Sequence, residues 1–418
     1  MATCKVNDDD AIIACKAGQA VLAARLLKHI SAATAAGGKN LVFSPLSIHV
    51  ALALMSTAAA GDTLGEILGF VGAPSRDELA AFVRSTVVDR VLADRSGVGG
   101  PTVSFACGAW TDRRWPLRPA YVEAVVGTFK GNTWAVDFLD EPMESRKQIN
   151  AWVAEATRNL ITEVLDPTDT NPFTVHMVAN AIYFKGEWLN PFKEEHTDDG
   201  EFRRLDGSSV EVPFLRSWAY QYIACHEGFK VLKLPYEVME NFDWKLYYSQ
   251  PRFSMCVFLP DDDDGLPSLV EKIASSPEFL HDHLPKKTVP VGKFRLPKFK
   301  LAFESDIAPA LKHLGLHLPF DRMKANMSDM LLAKELRGVY VNRVVHKAVI
   351  EMNEEGSEAA AVTVESYDDL GYSPFSDYVA PPPPVNFVAD HPFVFFIVEE
   401  TSGAIVFAGH VLDPSKEQ

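Results

Sequence analysis

The chain has 418 residues, 47% of them hydrophobic, and 56 acidic residues against 40 basic ones give a formal net charge of −16 at pH 7. That is apolar content enough for a sizeable buried core, and the acidic balance argues against nucleic acid or an anionic membrane surface as the partner, since both need Lys/Arg patches. The five cysteines (Cys4, Cys15, Cys107, Cys225, Cys256) are widely spaced with no CxxC pair, so neither a zinc site nor a disulfide framework is suggested.

The N-terminus, MATCKVNDDDAIIACK, lacks the basic start and apolar run of a secretory signal, and no stretch of about 18 apolar residues offers a membrane span. The expected location is cytoplasmic, with extracellular export left open. Residues 11–35 place Ile12, Cys15, Leu22, Leu26 and Ile30 near helical spacing, and the GGK at 37–39 ends that helix. A short strand at 41–43 then runs into a helix that Ser44 can cap, with Pro45 at its first position, where a missing N–H costs nothing. From Ser47 to Ala59 the helix is apolar or small all round, the mark of a buried one.

Strands are predicted at 102–112 and 133–138. A helix over 145–165 carries Ile149, Trp152, Val153, Ala156, Leu160 and Ile161 on one face. His176 to Phe184 has a buried-strand pattern, and 210–258 holds several strands, among them 231–235 and 254–259. Lys293–Phe303 alternates like one strand leading into a helix at 305–315. Residues 339–352 form a long strand, and the chain closes on strands 393–399 and 404–410, joined by a tight hairpin. With no repeat and no central linker, the expectation is one α+β domain over 1–418 with mostly antiparallel pairing. No GxSxG, HExxH, P-loop or GxGxxG signature is present, so an enzyme is not expected, nor any cofactor or metal.

One segment breaks the pattern. Residues 353–386 start acidic (Asn353, Glu354, Glu355), turn at Gly356, pass through small residues and end in four prolines, Pro381 to Pro384. About thirty residues of loop are uncommon in a compact domain and usually functional. Ser357, Ala359, Ala361 and Thr363 share one side at period two, and all four are small. Glu365 continues the same side, where a buried carboxylate is costly.

At this point the residues resemble a family. The stretch His346 to Ala361 (HKAVIEMNEEGSEAAA) resembles the loop hinge of the serpins, and DHPFVFFI at 390–397 with FAGHV at 407–411 resembles their C-terminal signature. FSPLSI at 43–48, Asn150 and Trp152, NAIYFKGEW at 180–188, PKFK at 297–300 and LGL at 314–316 fit as well, so the likeness runs from about residue 10 to 414 with a flavour similar to plant serpins. It implies a large central, mostly antiparallel sheet, further sheets, about eight to nine helices and an exposed reactive-centre loop at 353–386. It implies a monomer that traps a protease by loop cleavage and insertion as a new strand. The family's spacing puts the scissile bond at Leu370–Gly371, suited to a chymotrypsin-like serine protease, with Asp369, Tyr372 or Phe375 as alternatives and a cysteine or Asp-specific protease as alternative target. The hinge would be Glu355, Gly356, Ser357, Ala359, Ala361 and Thr363. Ser44, Ser47, Asn180 and His346 would form a polar "shutter" cluster and Trp188 the "breach" at the top of the sheet. A non-inhibitory serpin with a binding or vestigial loop is the rival reading.

Overall fold

The computed structural model describes residues 8–157, 159, 161–238, 250–333, 338–356 and 383–417. Its centre is a five-stranded sheet in the order β12 (Phe299–Asp306), β13 (Arg343–Met352), β4 (His176–Lys185), β2 (Thr102–Asp112), β3 (Asn132–Val136). A seven-stranded sheet, antiparallel throughout, runs β1 (Leu41–Phe43), β16 (Ala404–Val411), β15 (Phe393–Glu399), β9 (Phe253–Pro260), β8 (Phe229–Pro235), β7 (Gln221–His226), β10 (Thr288–Val289). A four-stranded sheet has β14 (Val385–Val388), β11 (Val291–Pro297), β6 (Ser209–Leu215) and β5 (Asp198–Arg203).

Nine α-helices occur among the described residues: α1 (Asp8–Ala36), α2 (Pro45–Ala58), α3 (Gly61–Val71), α4 (Arg76–Phe82), α5 (Pro119–Phe129), α6 (Pro142–Ala156), α7 (Leu266–Ala274), α8 (Phe279–Asp282) and α9 (Ala308–His313). The apolar helix α2 lies between β16 and β4, so it joins the two larger sheets. Its start follows the expected chemistry: the Ser44 side chain accepts from Ser47 N and Pro45 takes the first turn. One face of the five-stranded sheet packs on this core through Val178, Ile182, Val344 and Ile350. The other face, with Trp110, Ala179, Ala181 and Val345, is covered by Ile149 and Val153 of α6.

Two predicted elements end differently. The helix expected to reach 165 stops at Ala156, because side chains take over the work of backbone bonds. Thr157 Oγ1 accepts from Ile161 N, Asn159 turns the chain with φ 62, and Asn150 Oδ1 accepts from the N–H groups of Val164 and Leu165. The single strand expected at 293–303 is two. It breaks at Pro297, so that β11 joins the four-stranded sheet and β12 the edge of the five-stranded one.

Candidate functional site

The five-stranded sheet has an unusual middle. β13 and β4 pair in parallel, from Arg343 opposite Met177 to Val349 opposite Tyr183, while their outer neighbours β12 and β2 are antiparallel to them. Parallel pairing is slightly weaker per residue, and this pair unzips early. Phe184 and Lys185 pair only with Val103 and Thr102 of β2, and Ile350 to Met352 only with β12. The two strands therefore splay at the end where the chain leaves β13.

Beneath the closed part lies a buried polar cluster. Ser44, Ser47, Asn180 and His346 are all fully buried. The Ser44 N–H donates to His346 Nε2 at 3.0 Å, which leaves Nδ1 as the protonated nitrogen, 2.5 Å from Asn180 Oδ1. Asn180 Nδ2 donates to the Ser47 carbonyl at 3.2 Å, and Ser47 Oγ lies 3.4 Å from Asn180 Oδ1. Burial pushes the His346 pKa down to about 3, so the ring is neutral and acts as a strap from α2 across β13 to β4.

At the open end the chain reverses. Asn353 Oδ1 accepts from the N–H groups of Glu355 and Gly356, both at 3.1 Å, and Asn353 N donates to the Gly356 carbonyl. Gly356 then forms an antiparallel bridge with Glu187, just past the end of β4. Trp188 seals the turn. Its Nε1 donates to the Asn353 carbonyl at 3.0 Å, its backbone N–H to the Glu355 carbonyl at 2.7 Å, and its ring stacks on Tyr236 at 4.5 Å. The Glu354 carboxylate, 5% exposed, accepts from Thr197 Oγ1 and pairs with Lys298 at 2.8 Å.

Glycine at 356 answers to contact as well as to conformation. Its φ is 149°, and a Cβ there would overlap the Gly186 carbonyl oxygen and come within 2.6 Å of the Glu187 Cα. Gly356→Ala is expected to undock the turn and cost about 2–3 kcal/mol, read as a lower urea midpoint at unchanged slope; an unchanged midpoint would show that the turn bears no weight.

The structure thus brings Ser44, Ser47, Asn180 and His346 together, and Glu355 and Gly356 against Trp188. Ser357, Ala359, Ala361, Thr363, Asp369, Leu370, Gly371, Tyr372 and Phe375 lie outside the described residues. Sequence reasoning missed Asn353, Glu354, Lys298 and Tyr236 as partners in the turn. Asn353 before two glutamates and a glycine carries an Asx-turn signal that would have found it; the Glu354–Lys298 pair joins distant segments and left no local trace.

Three sheets, nine described helices and a chain that turns back at the splayed end of a parallel strand pair place this protein in one architectural class. A family model described as "Serpin (serine protease inhibitor)" matches residues 17–414. Serpin-Z2A of Oryza sativa subsp. japonica is 46% identical over 421 aligned residues, covering 95% of this chain and 97% of that protein. Serpin-ZX of Hordeum vulgare is 42% identical, covering 95% and 96%. The structure of Arabidopsis AtSerpin1, described as a native stressed conformation, aligns with a TM-score of 0.87 at 36% identity over 98% of this chain and 100% of that one. The chain belongs to the serpin family, a superfamily whose members are generally protease inhibitors rather than catalysts. No helix among the described residues is long and apolar enough to cross a membrane.

Proposed function

We propose that this protein inhibits a chymotrypsin-like serine protease as a suicide substrate, with residues 353–386 as the reactive-centre loop and Leu370–Gly371 as the bait. The protease serine would attack the Leu370 carbonyl carbon. The peptide bond to Gly371 breaks, the freed amine takes the proton from the protease's own base, and an acyl ester to Leu370 remains. Insertion of the loop between β4 and β13 would then carry the protease away before water cleaves the ester.

One observation supports this above the rest. The chain has already reversed by Gly356, and its antiparallel bridge to Glu187 is where a strand entering between β13 and β4 would begin. Such a strand would run antiparallel to both neighbours. It would replace one parallel ladder with two antiparallel ones, a net gain of backbone hydrogen bonds. The rival, a non-inhibitory serpin, draws on Glu365 and the proline run at 381–384. Asp369 keeps an Asp-specific target as the variant bait, and a papain-like cysteine protease is the other target class.

Incubation with chymotrypsin, elastase and papain, read on SDS gels, tests the proposal. A covalent complex with chymotrypsin that survives SDS is expected, together with a released C-terminal peptide beginning at Gly371 by mass spectrometry. Clean cleavage without complex, and without a gain in heat stability, would favour the non-inhibitory rival.

A further inference from the structure

At the opposite end of the β4/β13 pair from Gly356 lies a cavity of about 430 Å³, a size in the range of small-molecule sites. Arg114, Trp115, Phe173, Arg322, Met323 and Tyr340 form its walls. Two of its apolar members are exposed to a degree that folding alone does not call for: Phe173 is 78% and Met323 88% exposed. Exposed apolar surface gathered round one concavity marks a binding site more often than chance scatter does.

The charges say what kind of ligand fits. The Arg114 guanidinium lies 4.7 Å from the Trp115 ring centre, and its Nε is held by the fully buried Asp112 at 2.6 Å. That pair is neutral as a whole and fixes the cation at the wall. Arg322 is exposed and forms no ion pair among the described residues; the neighbouring Asp321 is turned to the backbone N–H groups of Met323 and Lys324. Among the described residues, then, the site holds a guanidinium with no carboxylate partner beside three aromatic rings. Planar guanidinium donors match carboxylate and sulfonate oxygens in a bidentate fork.

The walls are tied to the sheet. Tyr340 Oη accepts from Asn342 Nδ2 at 3.2 Å, and Asn342 Oδ1 accepts from the N–H groups of Val175 and His176 at 2.8 and 3.2 Å. Asn342 thus staples the lead into β13 to the start of β4. A ligand held between Phe173 and Tyr340 would touch the leads into both strands.

We propose that this cavity binds a small aromatic anion, an aryl carboxylate or aryl sulfonate, with Arg322 and Arg114 as its anion contacts and Trp115, Phe173 and Tyr340 as its stacking surface. The assignment stands apart from the inhibitory reading, because it is tested without any protease. Isothermal titration of the intact protein with 1-naphthoate and with the neutral 1-naphthylmethanol is the experiment. Saturable one-to-one binding of the acid is expected, with the alcohol about tenfold weaker. Arg322→Glu is expected to weaken the acid at least tenfold, and Phe173→Ser to weaken both ligands. Because both side chains are exposed, an unchanged melting curve should accompany each variant. Absence of saturable heat, equal binding of acid and alcohol, or unaltered binding to a normally melting Arg322→Glu protein would each overturn the assignment.

Discussion

Taking the native protein from pH 7 to pH 5 is expected to remove roughly 7 kcal/mol of stability through four histidines alone. His49, His176, His346 and His410 are all fully buried. Burial pushes His49, His176 and His410 down to about 4 and His346 to about 3. In the unfolded chain each titrates near 6.5, so below that pH the unfolded state binds protons that the native state refuses. Stability is then present above the unfolded pKa and is lost as pH falls toward the folded one. At pH 5 each histidine contributes a loss of about 2 kcal/mol or slightly less. Total stabilities of about 5–15 kcal/mol leave little margin against four such losses. The geometry points the same way as burial does. His346 Nε2 faces the Ser44 N–H, so a proton there would set two donors against each other. At His49 burial outweighs the favourable backbone contact from Val71. Urea midpoints at pH 7, 6 and 5 check the claim. The wild type should weaken steeply, and His49→Met, which removes one titrating group at nearly constant volume, should flatten the slope by about a quarter. A wild-type midpoint that does not move between pH 7 and pH 5 would refute it.

These histidines also mark what could be read from sequence and what could not. The buried helix α2, its Ser44–Pro45 start, the strand β4 and the final hairpin follow local rules of capping, period and turn chemistry, and each stands where those rules put it. The grouping of Ser44, Ser47, Asn180 and His346 came from resemblance alone, because no periodicity links residues so far apart in the chain. The parallel pairing of β13 with β4 is equally non-local, and nothing in either strand's pattern announces it. Pro297 did carry a legible break between β11 and β12, which steady alternation across it concealed. The early stop of α6 was hidden for a different reason: Ile161 stays buried in the same cluster as Ile149 and Val153 although the helix has ended, so the apolar period outlives the helix. The cavity beside Arg322 had no sequence signal at all, since its walls come from four separate segments.

If the proposed trapping mechanism operates, Ser357→Arg is expected to turn inhibition into plain cleavage, with the fraction of protease trapped falling by a factor of about 100 or more. The bridge between Gly356 and Glu187 sets a register. If the antiparallel register of Gly356 with Glu187 continues into the sheet, Ser357 falls opposite Gly186, Ala359 opposite Phe184, Ala361 opposite Ile182, Thr363 opposite Asn180 and Glu365 opposite Val178. Phe184, Ile182, Asn180 and Val178 share the face turned to α2. The space beside Gly186 is already closed by the rings of Tyr236 and Phe184, within 2.8 and 3.1 Å of where a Cβ would sit. An arginine at 357 would have to bury its charge against those rings at the first step of insertion, a cost of several kcal/mol. Cleavage at the proposed Leu370 bait needs no insertion, so it should continue while the SDS-stable complex disappears. Glu365 tests the other end of the same register. Opposite Val178, and beside its fully buried partner Val344, its carboxylate is the costliest group in the inward stripe. Glu365→Ala should therefore raise the fraction of protease trapped. An unchanged complex yield in Ser357→Arg would refute insertion as the trapping step; an unchanged yield in Glu365→Ala alone would refute the register and leave the step standing.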